Sequence, residues 1–440
     1  MDNEQKEPQS FTRRNFLKLL LGGAAALIGG TSFVKTDMFY ALKNDARQML
    51  SKSDAYNLRQ LITADPSRSR VIMWQTDAKQ TKSGVEYRIS DGEIKTAPAV
   101  EVGFTDAREE ILQYKADLVD LVGGQTYEYR LREGDKVGEW HELKTPKADE
   151  EFTCLIFPDS QSADYTDWAN LFQAATSREP KAAFFVNMGD LVDNGEDKSQ
   201  WQAWLGSVAV ASDKMPVVPV MGNHETYTLT WGVRLPHAYL RYLPSPANDS
   251  DDFDGYYYSF DYGDAHFIVL NTQWEEFDDK RPGLLAEQKA WLKNDAAVSR
   301  KKWKIVLLHK DVLQYRINGR PQRPEGISEV GREFMPLFDE LGIDLVFTAH
   351  LHTYRNRGKI RNFQADDAGP CYILTGVAGD VRYPGLWIDH ALDKKIAPQP
   401  ETDNYLTLTV TKDALIVKCF LPDGKEIDEV RLSKFANKQE

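Results

Sequence analysis

The chain has 440 residues, which suggests two or three domains at about 150 residues each. Apolar residues make up 42% and charged residues 28%, a balance that excludes a disordered chain, a collagen-like repeat and a polytopic membrane protein. The net charge of −13 argues against a nucleic-acid scaffold, which needs basic surface, but not against phosphorylated substrates, because bound metal ions can invert the local field.

Residues 1–40 stand apart from the rest. Thr12-Arg13-Arg14-Asn15-Phe16-Leu17-Lys18 precedes an apolar, Gly/Ala-rich stretch from Leu19 to Val34. The run resembles a twin-arginine signal, whose pattern S/T-R-R-x-F-L-K it matches at every specified position. The resemblance implies that the twin-arginine export machinery carries the folded chain to a periplasmic or cell-surface location. No A-x-A site and no Cys follows the apolar stretch, so an uncleaved tether is the alternative to release.

Residues 41–57 read as a linker. From 58 to 146 short alternating runs dominate: Arg70–Thr76, Val85–Ile89, Val100–Phe104 and Thr126–Leu131, with Gly123-Gly124 as a turn. Some seven short strands predict a small all-β sandwich resembling a fibronectin type III domain, with Trp74 as a core anchor and no catalytic group.

After a charged linker, residues 151–435 change texture. Apolar runs of strand length recur at Phe152–Phe157, Ala182–Val186, Pro216–Val220, Lys304–Leu308, Asp344–Phe347 and Tyr372–Leu374, separated by longer amphipathic stretches such as Leu284–Leu292. This alternation predicts an α/β layered domain. Tyr256–Tyr262 and Ala265–Leu270, joined by Gly263-Asp264, read as a hairpin. Tyr405–Val410, Ala414–Phe420 and Glu429–Leu432 read as closing strands. Cys154, Cys371 and Cys419 are too widely spaced for a disulfide framework or a thiolate cluster; Cys154 and Cys371, in apolar runs, read as buried thiols.

Five of these strands run directly into metal-capable residues. The first is followed by Asp159-Ser160-Gln161 and the second by Gly189-Asp190-Leu191-Val192-Asp193-Asn194-Gly195. Gly222-Asn223-His224-Glu225, His309 and Ala349-His350-Leu351-His352 follow the other three. Ligands in α/β folds bind beyond the carboxyl ends of strands, so five such ends can converge. Asp, Asn, Gln and His suit Fe, Mn or Zn, and this many donors exceed one tetrahedral ion but suit two ions sharing a carboxylate. Two such ions can hold both the attacking and leaving oxygens of a displacement at phosphorus.

The ordered set D-x-Q, GDxxDNG, GNHE, a strand-terminal His and AHLH resembles the calcineurin-like metallophosphoesterase superfamily. With the preceding β-domain and His350-Leu351-His352-Thr353-Tyr354, it is most similar to the purple acid phosphatase-like branch. The resemblance implies a four-layer α/β/β/α sandwich. It implies that one metal takes Asp159, Gln161, Asp190 and His352, and the other Asp190, Asn223, His309 and His350, with Asp190 bridging. It also implies that His224 stabilises phosphate charge or protonates the leaving oxygen, while a metal-activated hydroxide attacks in line. Asp193 stands where true purple acid phosphatases carry the tyrosine that colours their iron, so a colourless enzyme is expected. Gln161 replaces a superfamily His, and Ala349 replaces a Gly.

The expected activity is therefore that of an exported binuclear phosphomonoesterase acting on a small phosphorylated substrate, with no stable protein partner. A phosphodiesterase or nucleotide-directed hydrolase on the same site is one alternative. A catalytically silent surface binding module is another, and the near-complete ligand set speaks against it. Of the remaining histidines, His266 reads as packing, while Arg316, Arg320 and Arg323 read as a solvated loop, with contact to an anionic substrate as the alternative.

Overall fold

The computed structural model describes residues 55–434. The twin-arginine-like segment and the linker as far as residue 54 lie outside the described residues. A strand already begins at Ala55, ahead of the start expected at 58.

The first region is all-β. The period-two alternation of Arg70–Thr76, Ser83–Ile89, Gln113–Leu118 and Thr126–Glu133 sends Ile72, Trp74, Val85, Tyr114, Leu118, Tyr127 and Tyr129 into one core. Trp74 is 1% exposed and stacks on Tyr114 with ring centroids 5.9 Å apart, so the expected anchor lies in the core. The run Val100–Phe104 is not one strand. Lys95–Glu101 ends and a separate hairpin, Phe104–Asp106 with Glu109–Ile111, leaves the sheet. Its Phe104 packs edge-on against Tyr242 and His237 of the following domain.

The border between the two regions is a shared sheet. Ala55–Leu61 pairs antiparallel with Arg70–Thr76 and parallel with Val217–Pro219. Ile62 N–H donates to Val217 O and Gln60 N–H to Ser212 O. One 14-stranded sheet therefore runs from the β-region into the α/β region. Nothing in residues 58–61 signals this, because a strand paired on both sides reads the same whichever chain segment pairs with it.

Within the α/β region, Phe152–Phe157, Phe185–Asn187 and Val217–Pro219 are parallel, and Tyr405–Val410 joins antiparallel at the side of Phe152–Phe157. A second sheet holds the hairpin Tyr258–Tyr262/Ala265–Leu270, then Trp303–Leu308, Leu345–Thr348 and Cys371–Gly376. Alternation splits each strand between two cores. Cys154 and Ile156 face Phe267, Ile305 and Phe347 of the other sheet. Leu155 and Phe157 face outward to Trp168 and Phe172 of the helix Thr166–Arg178. The helices Leu284–Val298 and Glu329–Leu341 cover the second sheet's outer face through residues such as Leu292 and Phe338. The result is the four-layer α/β/β/α arrangement, with both central sheets buried on two faces and hence continuously apolar. Cys154, Cys371 and Cys419 are buried and free.

Candidate metal centre

The two sheets end at the same edge of the sandwich, and their strand-end loops meet there. Asp159, Gln161, Asp190, Asn223, His309 and His352 are all buried; His224 and His350 are partly exposed. His309 Nε2 lies 3.1 Å from Asp190 Oδ2, 3.1 Å from Asn223 Oδ1 and 3.2 Å from His350 Nδ1. On the other side His352 Nε2 lies 3.5 Å from Asp159 Oδ1. Asp190, His309 and His350 form one group able to hold a cation, and Asp159, Asp190 and His352 a second; Asp190 belongs to both.

The backbone is bent to bring these groups together. Asp190, His350 and His352 all have left-handed φ, at 49°, 76° and 52°. Non-glycine residues take that conformation at a cost, which concentrates at functional sites. The two motif glycines serve close approach. A Cβ on Gly222 would sit 2.1 Å from Asp190 Oδ1, and one on Gly189 would sit 2.5 Å from His309 Nδ1.

Hydrogen bonds behind the ligands fix which ring nitrogen faces inward. His309 Nδ1 donates to Met188 O at 3.0 Å and His352 Nδ1 to Val381 O at 2.6 Å, so both present Nε2 to the centre. His224 Nδ1 donates to Asp193 O at 2.7 Å, leaving Nε2 facing in, 4.0 Å from Asp190 Oδ2. Asp193 thus touches His224 and is in neither ligand group.

The residues fit a pair of cations. Asp190 Oδ2, Asn223 Oδ1, His309 Nε2 and His350 Nδ1 crowd into one place, an arrangement that suits a positive ion. Gln161 Oε1 is buried with no hydrogen-bond partner, and its amide nitrogen lies 3.3 Å from His224 Nε2. A buried orphan carbonyl beside a carboxylate pair is the donor expected of a ligand. Burial lowers His309, but the nearby Asp190 and Asp159 outweigh it and raise it to about 9, and burial together with that charge pushes His350 down to about 3; a bound cation would displace the His309 proton. Burial opposes ionisation of Asp190, yet His309, His224 and His350 hold its carboxyl well below the usual carboxylate range. His224 is raised to about 9: burial lowers it, and the nearby Asp190 and Asp193 outweigh that.

Sequence patterning assigns no role to Glu225, although it closes the GNHE run. Its fully buried carboxylate accepts N–H groups of Asp190, Leu191 and Gly222 at 3.0, 2.8 and 2.7 Å. It therefore ties the loop of Asp190 to the loop of Asn223. Arg357 works similarly on the other side. Its guanidinium donates to Asp311 Oδ2 at 2.6 Å and to Tyr315 Oη at 3.0 Å, and Thr348 Oγ1 donates to Asp311 Oδ1 at 2.8 Å. This buried cluster joins the segment after His309 to the strand before His350. His266 is buried as expected, but it is held by carboxylates, with Asp261 at 2.7 Å and Asp295 at 2.8 Å. Arg323 donates to Tyr315 O and Arg316 lies 3.8 Å from Glu325, so that loop is internally paired.

The segment 227–234 closes one side of the centre. Tyr227 and Trp231 both stand near the His224 ring, and Arg234 makes a two-pronged ion pair with Asp106 of the N-terminal hairpin.

Comparison with known proteins follows the same lines. The family described as Calcineurin-like phosphoesterase matches residues 137–354, and the one described as Purple acid Phosphatase, N-terminal domain, matches residues 56–145. Purple acid phosphatase 18 of Arabidopsis thaliana is 27% identical over 322 residues, which is 70% of this chain and 68% of the relative. Purple acid phosphatase 23 of the same plant is 29% identical over 41% of this chain and 38% of its own length. Among solved structures, purple acid phosphatase PPD1 from yellow lupin (Lupinus luteus) seeds superposes with a TM-score of 0.69 at 18% identity, covering 86% of this chain and 74% of that one. A structure of PhoD gives a TM-score of 0.59 at 13% identity, covering 88% and 94%. At these identities the structural likeness is one of fold.

Proposed function

We propose that this chain, which belongs to the calcineurin-like phosphoesterases and carries the purple acid phosphatase N-terminal domain, hydrolyses phosphate monoesters at a two-metal centre. The observation that carries the reading is the sharing of Asp190 by two cation-binding groups with His224 beside it. Asp159, Gln161, Asp190 and His352 would hold one ion, and Asp190, Asn223, His309 and His350 the other. When bound, such ions supply Lewis acidity toward the phosphoryl oxygens and a hydroxide nucleophile near neutral pH. The chain's own residues do the rest. His224, fixed through Nδ1 by the Asp193 carbonyl, keeps Nε2 aimed inward to give a proton to the departing ester oxygen. Asn223, whose amide nitrogen is steadied by Tyr227 Oη at 3.2 Å, orients toward a phosphoryl oxygen.

Preference for monoesters is supported by the relatives' names, which include a phosphoenolpyruvate phosphatase of Allium cepa. The metal pair is Fe, Mn or Zn. The test is the ratio of p-nitrophenyl phosphate to bis-p-nitrophenyl phosphate hydrolysis with each metal supplied. A ratio well above one is expected; a ratio well below one would make the enzyme a diesterase, and no turnover of either would leave an enzyme of narrow specificity or a silent binding module.

Export to the periplasm or cell surface by the twin-arginine route belongs to the same proposal and rests on Arg13 and Arg14. Arg13→Lys with Arg14→Lys is expected to leave the protein in the cytoplasm, and unaltered export of that variant would overturn it.

A further inference from the structure

We infer that the mouth of this centre selects esters whose leaving group carries a flat aromatic ring, through the exposed rings of Trp231 and Tyr383. The inference rests on the phosphoesterase reading and names the part of the substrate beyond the phosphate. Trp231 is 56% exposed and Tyr383 39%, and each stands against a different residue of the centre. The Trp231 ring meets His224 edge-on with centroids 5.9 Å apart, and Tyr227 at 5.9 Å. The Tyr383 ring lies 4.9 Å from that of His352. A large aromatic turned to water adds little to the core; these two leave ring surface open beside His224 and His352, where an aromatic leaving group would stack.

The chain holds Trp231 there against its own preference. Its φ is 64°, a conformation that glycine or asparagine takes readily and a bulky residue does not. Two backbone bonds and one to a side chain lock the turn: Trp231 N–H to Thr228 O at 3.0 Å, Thr228 N–H to Gly232 O at 2.8 Å, and Gly232 N–H to the Thr228 hydroxyl Oγ1 at 2.8 Å. Leu229 N–H donates to Glu196 Oε2 at 2.9 Å, and Arg234 anchors the end of the segment to Asp106. Trp231 thus holds a left-handed backbone in a turn closed by these bonds, with its indole open to solvent beside His224.

The test uses full-length, Mn-supplied protein and two non-hydrolysable probes, phenylphosphonate and ethylphosphonate, with dissociation constants read by calorimetry. Wild type is expected to prefer phenylphosphonate. Trp231→Ala is expected to cut that preference about tenfold, Tyr383→Ala to cut it less, and Trp231→Phe to keep most of it. No preference in wild type, no binding of either probe, or a preference unchanged in Trp231→Ala would overturn the inference. Hydrolysis of p-nitrophenyl phosphate is followed alongside. Preferential phosphonate binding without turnover would sink the phosphatase reading and leave the aromatic rim standing; turnover with an unchanged preference would do the reverse.

Discussion

At the scale of single residues, the groups that hold the centre together differ from those that face it. Glu225 shows this best. It faces no substrate, yet both of its oxygens are spent on backbone N–H groups from two ligand loops. Burial and the charge of Asp190 push its carboxyl up to about 7, and the N–H groups pull the other way. Glu225→Gln replaces one acceptor with an NH₂ that meets those donors head-on. A loss of about 2–3 kcal/mol in stability is expected, together with a fall in bound metal. Thermal unfolding and metal content measure both, and wild-type values in the two would refute the clamp. The convergence of the centre's residues was legible in the sequence because strand-terminal motifs sit in short windows: Asp190, Asn223 and His350 each come within a few residues of an apolar run's end. The left-handed backbone at Asp190, His350 and His352 was not legible, since it arises from loops bent by their neighbours and none of the three is a glycine. Trp231 and Tyr383 escaped for a related reason. Each lies in a loop with no motif, and only the folded chain brings it to His224 or His352.

At the scale of elements, strand and hairpin assignments followed from alternation, while pairings that link elements through charge did not. The hairpin Tyr258–Tyr262/Ala265–Leu270 was legible from Gly263-Asp264 and the apolar runs beside it, and Gly263 turns with φ 52°. Its bond to the helix Leu284–Val298 was hidden. His266 on the hairpin bridges Asp261 and Asp295, the latter on that helix. Burial alone would lower this histidine, but the hydrogen bonds to Asp261 and Asp295 raise it to about 9. A raised histidine contributes stability that is complete below its unfolded value near 6.5 and lost as pH climbs through about 9. About 2 kcal/mol is expected to disappear over that window, the figure being reduced because Asp261 is nearly half exposed. Urea unfolding of wild type and His266→Gln across the window tests this. The difference between the two proteins should shrink as pH rises, and a difference constant in pH would remove the ion pairs from the account.

At the scale of the whole molecule, the border between the β-region and the α/β region crosses backbone hydrogen bonds of a common sheet. Arg59, fully buried on the shared strand, adds bonds to Tyr242 O on one side and Gln113 Oε1 on the other. Residues 55–434 are therefore expected to melt in one cooperative calorimetric transition, and two resolved transitions would contradict the shared sheet. The N-terminal hairpin adds something else. Through Asp106 it grips Arg234, at the end of the segment that presents Trp231, and through Glu109 it reaches Lys198 at 3.2 Å. A domain with no ligand of its own thus sets the pose of the loop that meets the organic half of a substrate. The rings proposed to meet the substrate belong to the same region as the residues of the centre, but one of their loops is braced from outside it, and exchanging the hairpin of residues 104–111 between relatives becomes a way to shift that loop while the convergent carboxylates and histidines stay where they are.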